Sequence, residues 1–74
     1  MPLHNRVIKN RIIVLRAERH LSQKDVADGV GVSRQTIISL EKNRYNPSLK
    51  LAFDLAVFFG VDINDVFQYE REDE

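Results

Sequence analysis

The side chains able to do chemistry in this 74-residue chain are cations gathered towards one end rather than nucleophiles. Residues 1–50 hold ten Lys and Arg against four Asp and Glu, whereas residues 51–74 hold one against seven. The formal net charge is zero, yet each end carries a surplus of six charges of opposite sign. A molecule polarised in this way offers a face that attracts phosphate and an acidic end that DNA repels. There is no cysteine, which excludes disulfides, thiolate zinc sites and a cysteine nucleophile. His4 and His20 lack an acidic or histidine partner at ligand spacing, so both read as exposed residues and no metal is expected. No nucleophile, base or metal cluster stands at catalytic spacing, and so small a core leaves little room for a pocket. Neither an enzyme nor a cofactor is expected.

Positioning the cations falls to short helices. Hydrophobic residues make up 43% and charged residues 30%, an ordinary globular composition that predicts a single domain over residues 1–74. The longest apolar run, residues 55–59, is far below the roughly 20 residues of a membrane span. Residues 1–6 lack the apolar stretch of a signal peptide, so a soluble cytoplasmic protein with no membrane partner is expected. No strand alternation is sustained, and the apolar spacing marks five helices. The first is expected over about 5–19, with Ile8, Ile12 and Leu15 on one face. Ser22 opens the second as N-cap, with Asp25 three residues on in a shortened capping box. Val26, Ala27 and Val30 supply its apolar face, and Gly31 ends it. Ser33 caps a third helix that runs to about 42, with Ile37 and Leu40 inward. Residues 43–48 form a loop rich in turn formers. A fourth helix begins at 48 or 49 and ends at 59 before Gly60, and Asp62 caps a fifth through Phe67. Residues 70–74 form an acidic tail, and its end beyond Glu70 is expected to fray. The fold class that follows is all-α, a bundle of five helices.

Residues 22–43 carry the most information. Two short helices meet at Gly31, where the missing Cβ permits a left-handed backbone. Ala27 is small enough for them to cross closely, and Val32, Ile37 and Leu40 lock the crossing from beneath. A helix-turn-helix presents its second helix to the major groove of DNA in this way. The register continues through Arg16, Leu21-Ser22-Gln23, Val26-Ala27, Gly31-Val32-Ser33, Ile37, Glu41, Asn46-Pro47-Ser48, Leu51-Ala52, Leu55-Ala56 and Gly60-Val61. With these residues the sequence resembles the Cro and phage-repressor (Xre-type) helix-turn-helix family over about residues 5–68, and within it the small stand-alone prokaryotic transcriptional regulators. The resemblance implies a five-helix lambda-repressor-like domain that binds double-stranded DNA sequence-specifically in the cytoplasm, associated with the nucleoid. Two positions depart from the family pattern. His20 and Asn43 stand where glycine often ends a helix; Asn tolerates positive φ well and His moderately, so the fold should survive at small cost.

The resemblance also implies roles for single residues. Gln23 begins the second helix, where the family grips a phosphate with a side chain and helix-end amides. Ser33, Arg34, Gln35 and Thr36 form the exposed first turn of the recognition helix. Arg34 can donate two hydrogen bonds to guanine, and Gln35 can pair with adenine. Ser39, one turn further on, reaches a base edge or a phosphate, while Lys42, Arg44 and Tyr45 hold the DNA backbone. Arg16 and Glu41 are implied as an ion pair tying the first helix to the third, a structural role rather than a DNA contact.

The fourth helix is apolar over most of its circumference. With Leu49 at zero on a wheel of about 100° per residue, a core arc holds Leu49, Ala52, Leu55, Ala56 and Phe59. Phe53 and Val57 lie beyond one edge of the arc, Leu51 and Phe58 beyond the other. Such a helix needs burial on a second side. A dimerisation region over about 53–69 is therefore expected, with Phe53, Val57, Phe58, Val66, Phe67 and Tyr69 at the interface of a homodimer. A two-fold dimer would read a palindromic operator with half-sites about 34 Å apart and repress by excluding polymerase. The same apolar residues leave a second reading open, an antitoxin-like protein-interaction module with a protein partner and secondary DNA binding.

Overall fold

The computed structural model describes residues 5–44 and 46–72. Its helices are α1 (Ile12–Glu18), α2 (Gln23–Val30), α3 (Arg34–Glu41), α4 (Leu49–Phe59) and α5 (Ile63–Val66). Two strands frame them, β1 (Arg6–Asn10) and β2 (Phe67–Arg71). The strands pair antiparallel with Arg6 opposite Arg71, Ile8 opposite Tyr69 and Asn10 opposite Phe67. The fold is mostly helical, and the all-α expectation is corrected by this small sheet.

The helix expected over 5–19 divides at Asn10. Its Oδ1 accepts the Ile12 N–H at 3.1 Å, and its Nδ2 donates to the Leu40 carbonyl at 2.7 Å and to Asn43 Oδ1 at 3.0 Å. An Asn side chain bonded to the backbone two residues on forms a turn that competes with helix. Upstream, Val7 and Ile8 are β-branched and suit a strand. Ile8, expected on a helix face, therefore belongs to the sheet. At the other end Phe67 leaves the helix with φ −121° and ψ 137° and starts β2. Arg71, expected to fray, is a strand residue, and the Glu72 N–H donates to the Asn5 carbonyl at 2.9 Å.

Local chemistry sets the remaining boundaries. Ser22 and Asp25 form a reciprocal capping box, with 2.9 Å from the Ser22 N–H to Asp25 Oδ2 and 2.9 Å from the Asp25 N–H to Ser22 Oγ. Ser33 and Ser48 each accept the N–H three residues on. Gly31 and Gly60 end α2 and α4 in the left-handed region, with φ of 75° and 71°. His20 and Asn43 take the same conformation, with φ of 56° and 57°.

One core joins all five helices through Ile12, Leu15, Val26, Ala27, Ile37, Leu40, Leu51, Leu55, Ala56, Phe59 and Val66. Full burial of each larger side chain contributes about 1.5–3 kcal/mol. The arc read for α4 is rotated. Leu51 is buried, whereas Leu49 is 72% exposed. The buried residues centre near 270° on the same wheel, which leaves Leu49 at the rim beside Phe53 and Val57. Val66, expected at a subunit interface, is fully buried in the chain's own core. Phe58 and Phe67 also pack against that core and are half-buried. Phe53, Val57 and Tyr69 are exposed.

Candidate nucleic-acid interface

The turn from α2 to α3 takes only Gly31, Val32 and Ser33. Val32 packs on the core, and its N–H donates to the Ala27 carbonyl at 3.0 Å. Ile37 and Leu40 fix the inner face of α3, which turns its first residues outward. Ser33, Arg34 and Gln35 are exposed; Thr36 and Ser39 are half-buried. The Ser33 hydroxyl is engaged, accepting the Thr36 N–H at 3.1 Å and lying 2.9 Å from Thr36 Oγ1. Arg34 and Gln35 make no side-chain hydrogen bond or ion pair among the described residues. Lys42 and Arg44, exposed where the chain leaves α3, are likewise unpaired among the described residues. Tyr45 and His4 lie outside the described residues.

The far end of α3 is held tightly. Arg16 Nε donates to Glu41 Oε2 at 2.6 Å and Arg16 Nη2 to Glu41 Oε1 at 3.2 Å. Arg16 Nη1 also reaches the Leu21 carbonyl at 3.1 Å. Gln23 Nε2 donates to Glu41 Oε1 at 2.9 Å, so one carboxylate joins α1, α2 and α3. The Gln23 side chain is thereby engaged with Glu41 within the protein. A bidentate Arg–carboxylate fork of this kind fixes orientation as well as distance.

Three residues with structural roles here carry weaker signals in the sequence. Arg19 Nη2 donates to the Phe59 carbonyl at 2.9 Å with its guanidinium 5.5 Å from the Phe59 ring, tying the end of α1 to the end of α4. Asn10 ties β1 to the end of α3. Gly29 lies under the Phe58 ring, where any Cβ would collide with it. Only Gly29 had a local marker, since a glycine inside a helix often signals a close approach.

Charge on the outer face of α2 is largely internal. Lys24 pairs with Asp28 at 2.7 Å, which pushes its ammonium above the ordinary value. The Ser22 N–H, and then its hydroxyl, hold the Asp25 carboxyl below its ordinary range. Lys50 is likewise paired with Asp54 at 2.6 Å. Arg34, Lys42 and Arg44, unpaired among the described residues, therefore mark a basic edge along and just beyond α3. Among the described residues no three His, Cys, Asp or Glu come together as a metal site, and no helix is long and apolar enough to cross a membrane.

Known proteins resemble this chain in sequence and fold. The family described as helix-turn-helix matches residues 12–66. An uncharacterized HTH-type transcriptional regulator of Methanocaldococcus jannaschii is 54% identical over 66 residues, covering 89% of this chain and all of that protein. The cryptic phage CTXphi transcriptional repressor RstR of Vibrio cholerae is 38% identical over 60 residues, 81% of this chain and 54% of its own length. Among solved structures, a Bacteroides fragilis protein named for a presumed role in DNA binding superposes with a TM-score of 0.75 at 29% identity, covering 84% of this chain and all of that one.

Proposed function

This chain belongs to the helix-turn-helix family, whose members include DNA-binding transcriptional regulators, and from that premise we propose that it is a sequence-specific double-stranded DNA-binding repressor. On this reading it acts in the cytoplasm at the nucleoid and binds a palindromic operator as a homodimer. The observation that carries the reading is the pair Arg34 and Gln35. Both are exposed and unengaged among the described residues, on the first turn of a helix whose opposite face is buried. An Arg fork matches O6 and N7 of guanine, and a Gln amide matches N6 and N7 of adenine. Ser33, Thr36 and Ser39 flank them and contact base edges or phosphates. Lys42, Arg44 and Tyr45 hold the DNA backbone as α3 leaves the groove. Gln23 contributes through the backbone amides that open α2, since its side chain serves Glu41. The repressor sense draws on the likeness to the Vibrio phage repressor. Exposure of Phe53, Val57 and Tyr69 supports a second copy as partner.

The test is selection of bound fragments from a random duplex library at moderate salt, beside an Arg34→Ala/Gln35→Ala variant. Enrichment of an inverted repeat that vanishes with the variant is the expected result. Recovery of unenriched DNA, or of none, overturns the base-reading role and redirects the search to a protein partner.

A further inference from the structure

The ribbon of β1 and β2 has two strands, so each strand keeps one edge outside the β1–β2 pairing. Beyond that pairing β2 packs on α5 and Asn10 of β1 bonds to the end of α3, and the molecule is drawn out to 38 Å against 21 and 20 Å. A lone two-stranded ribbon is marginally stable in water. Its hydrogen bonding also leaves a defined edge. Backbone bonds link Glu72 to Asn5 at one end and Arg11 to Val66 at the other. Alternation along an antiparallel pair then makes Val7–Glu70 and Lys9–Gln68 the bonded pairs, and turns the N–H and C=O of Tyr69 outward. The Tyr69 side chain is itself 60% exposed.

We propose that β2 pairs antiparallel with β2 of a second copy about a two-fold axis at Tyr69, joining two ribbons into one four-stranded sheet. This rests on the dimeric reading above and assigns its interface. In that register the row Ile8–Tyr69 runs straight into the partner's Tyr69 and Ile8, an apolar row across four strands. On the neighbouring row Phe67 falls opposite the partner's Arg71, an aromatic face against a guanidinium. Gln68 falls opposite the partner's Glu70. An axis one residue on, at Glu70, sets two carboxylates face to face and aims at backbone groups already bonded to β1. The outer edge of β1 is the poorer candidate, because Arg6 to Lys9 share a cavity of about 370 Å³ with Asn43 and Asn46.

Tyr69→Pro tests the assignment, because it removes an outward N–H and leaves the β1–β2 bonds in place. By light scattering the unmodified protein is expected at twice the mass of one chain and Tyr69→Pro at the mass of one, while Phe53→Glu/Val57→Glu stays double. Hydrogen exchange gives an independent reading on the unmodified protein, with the Tyr69 amide expected to exchange at least 10-fold more slowly at high than at low concentration. A Tyr69→Pro protein that remains double, with Phe53→Glu/Val57→Glu reduced to single mass, moves the interface to α4 and overturns the inference while the dimer survives. Concentration-independent exchange at Tyr69 in a protein of double mass also overturns it. Single mass at every concentration overturns the dimeric reading as well.

Discussion

Glu41 is the residue through which three helices meet, and its loss should be felt well beyond one ion pair. The carboxylate takes both donors of the Arg16 fork and the Gln23 amide, and the two charged side chains are 5% and 18% exposed. Breaking a buried pair by removing one partner costs about 3–5 kcal/mol, because the other charge is left without compensation. Arg16 retains some access to water and the Leu21 carbonyl, which places Glu41→Leu at the lower end, about 3 kcal/mol. Arg16→Met leaves the nearly enclosed carboxylate with Gln23 alone, and a similar loss of about 3–4 kcal/mol is expected. Arg16→Met/Glu41→Leu together leave no stranded charge, so the double variant should lose no more than the worse single one. The resulting coupling, about 3 kcal/mol, lies at the top of the range for residues in contact. Urea unfolding followed by circular dichroism measures all four proteins, with an excluded osmolyte present so that each begins folded. Losses that add, each below about 1 kcal/mol, would mean an ordinary surface pair and would refute a brace at the end of α3.

Three further outcomes follow from single contacts. Gly29→Ala puts a methyl group into the Phe58 ring and is expected to lower stability by about 1–2 kcal/mol. In a Phe58→Ala background the same change should instead gain up to about 1 kcal/mol from helix propensity, and thermal unfolding of the four proteins shows whether the sign reverses. Asn10→Ala removes three hydrogen bonds and should cost about 2–3 kcal/mol, with amide protection lost first in β1 and β2. The Asp25 carboxyl is held below its ordinary value of 3.8 by the Ser22 N–H and hydroxyl. Its stabilising contribution is therefore complete above that value and is lost as pH falls through the lower, folded one. Asp25→Asn should remove that part of the acid dependence, and a carboxyl titration by NMR that finds the ordinary value would refute it.

How much of this was legible in the sequence depended on how far apart the interacting residues lie. α2, α3 and α4 could be placed because each begins at a Ser that caps its own first turn, and two of them end at a glycine with positive φ. Such signals span three or four residues and need no tertiary partner. The sheet gave no equivalent sign. Arg6–Asn10 carries helix-compatible spacing, and its strand character depends on Phe67–Arg71 at the opposite end of the chain. Asn10 decided the matter through bonds to Leu40 and Asn43, some 30 residues away. The rotation of α4 was hidden for a related reason. A helix with Leu49, Leu51, Phe53 and Val57 all apolar has no unique moment, so only packing against the other helices could choose Leu51 over Leu49.

The same division bears on the candidate site. Gln23 sits at a position suited to a phosphate, yet its amide completes the shell of a nearly buried carboxylate, and a buried charge left short of partners costs more than a solvent-facing contact gains. The Gln23 amide is thus drawn towards Glu41, while Arg34 and Gln35 on the first turn of α3 make no side-chain hydrogen bond or ion pair among the described residues. In the proposed function this contrast sets the energetics of recognition. The backbone of α3 is already fixed by Glu41 at one end and by Ile37 and Leu40 beneath. Binding would then order only side chains such as Arg34 and Gln35, at about 0.5–1.5 kcal/mol each. A bidentate base contact, worth about 1–3 kcal/mol of discrimination, can outweigh that cost only if the helix itself does not also have to be ordered. The engaged end of α3 is therefore what makes the unengaged end usable.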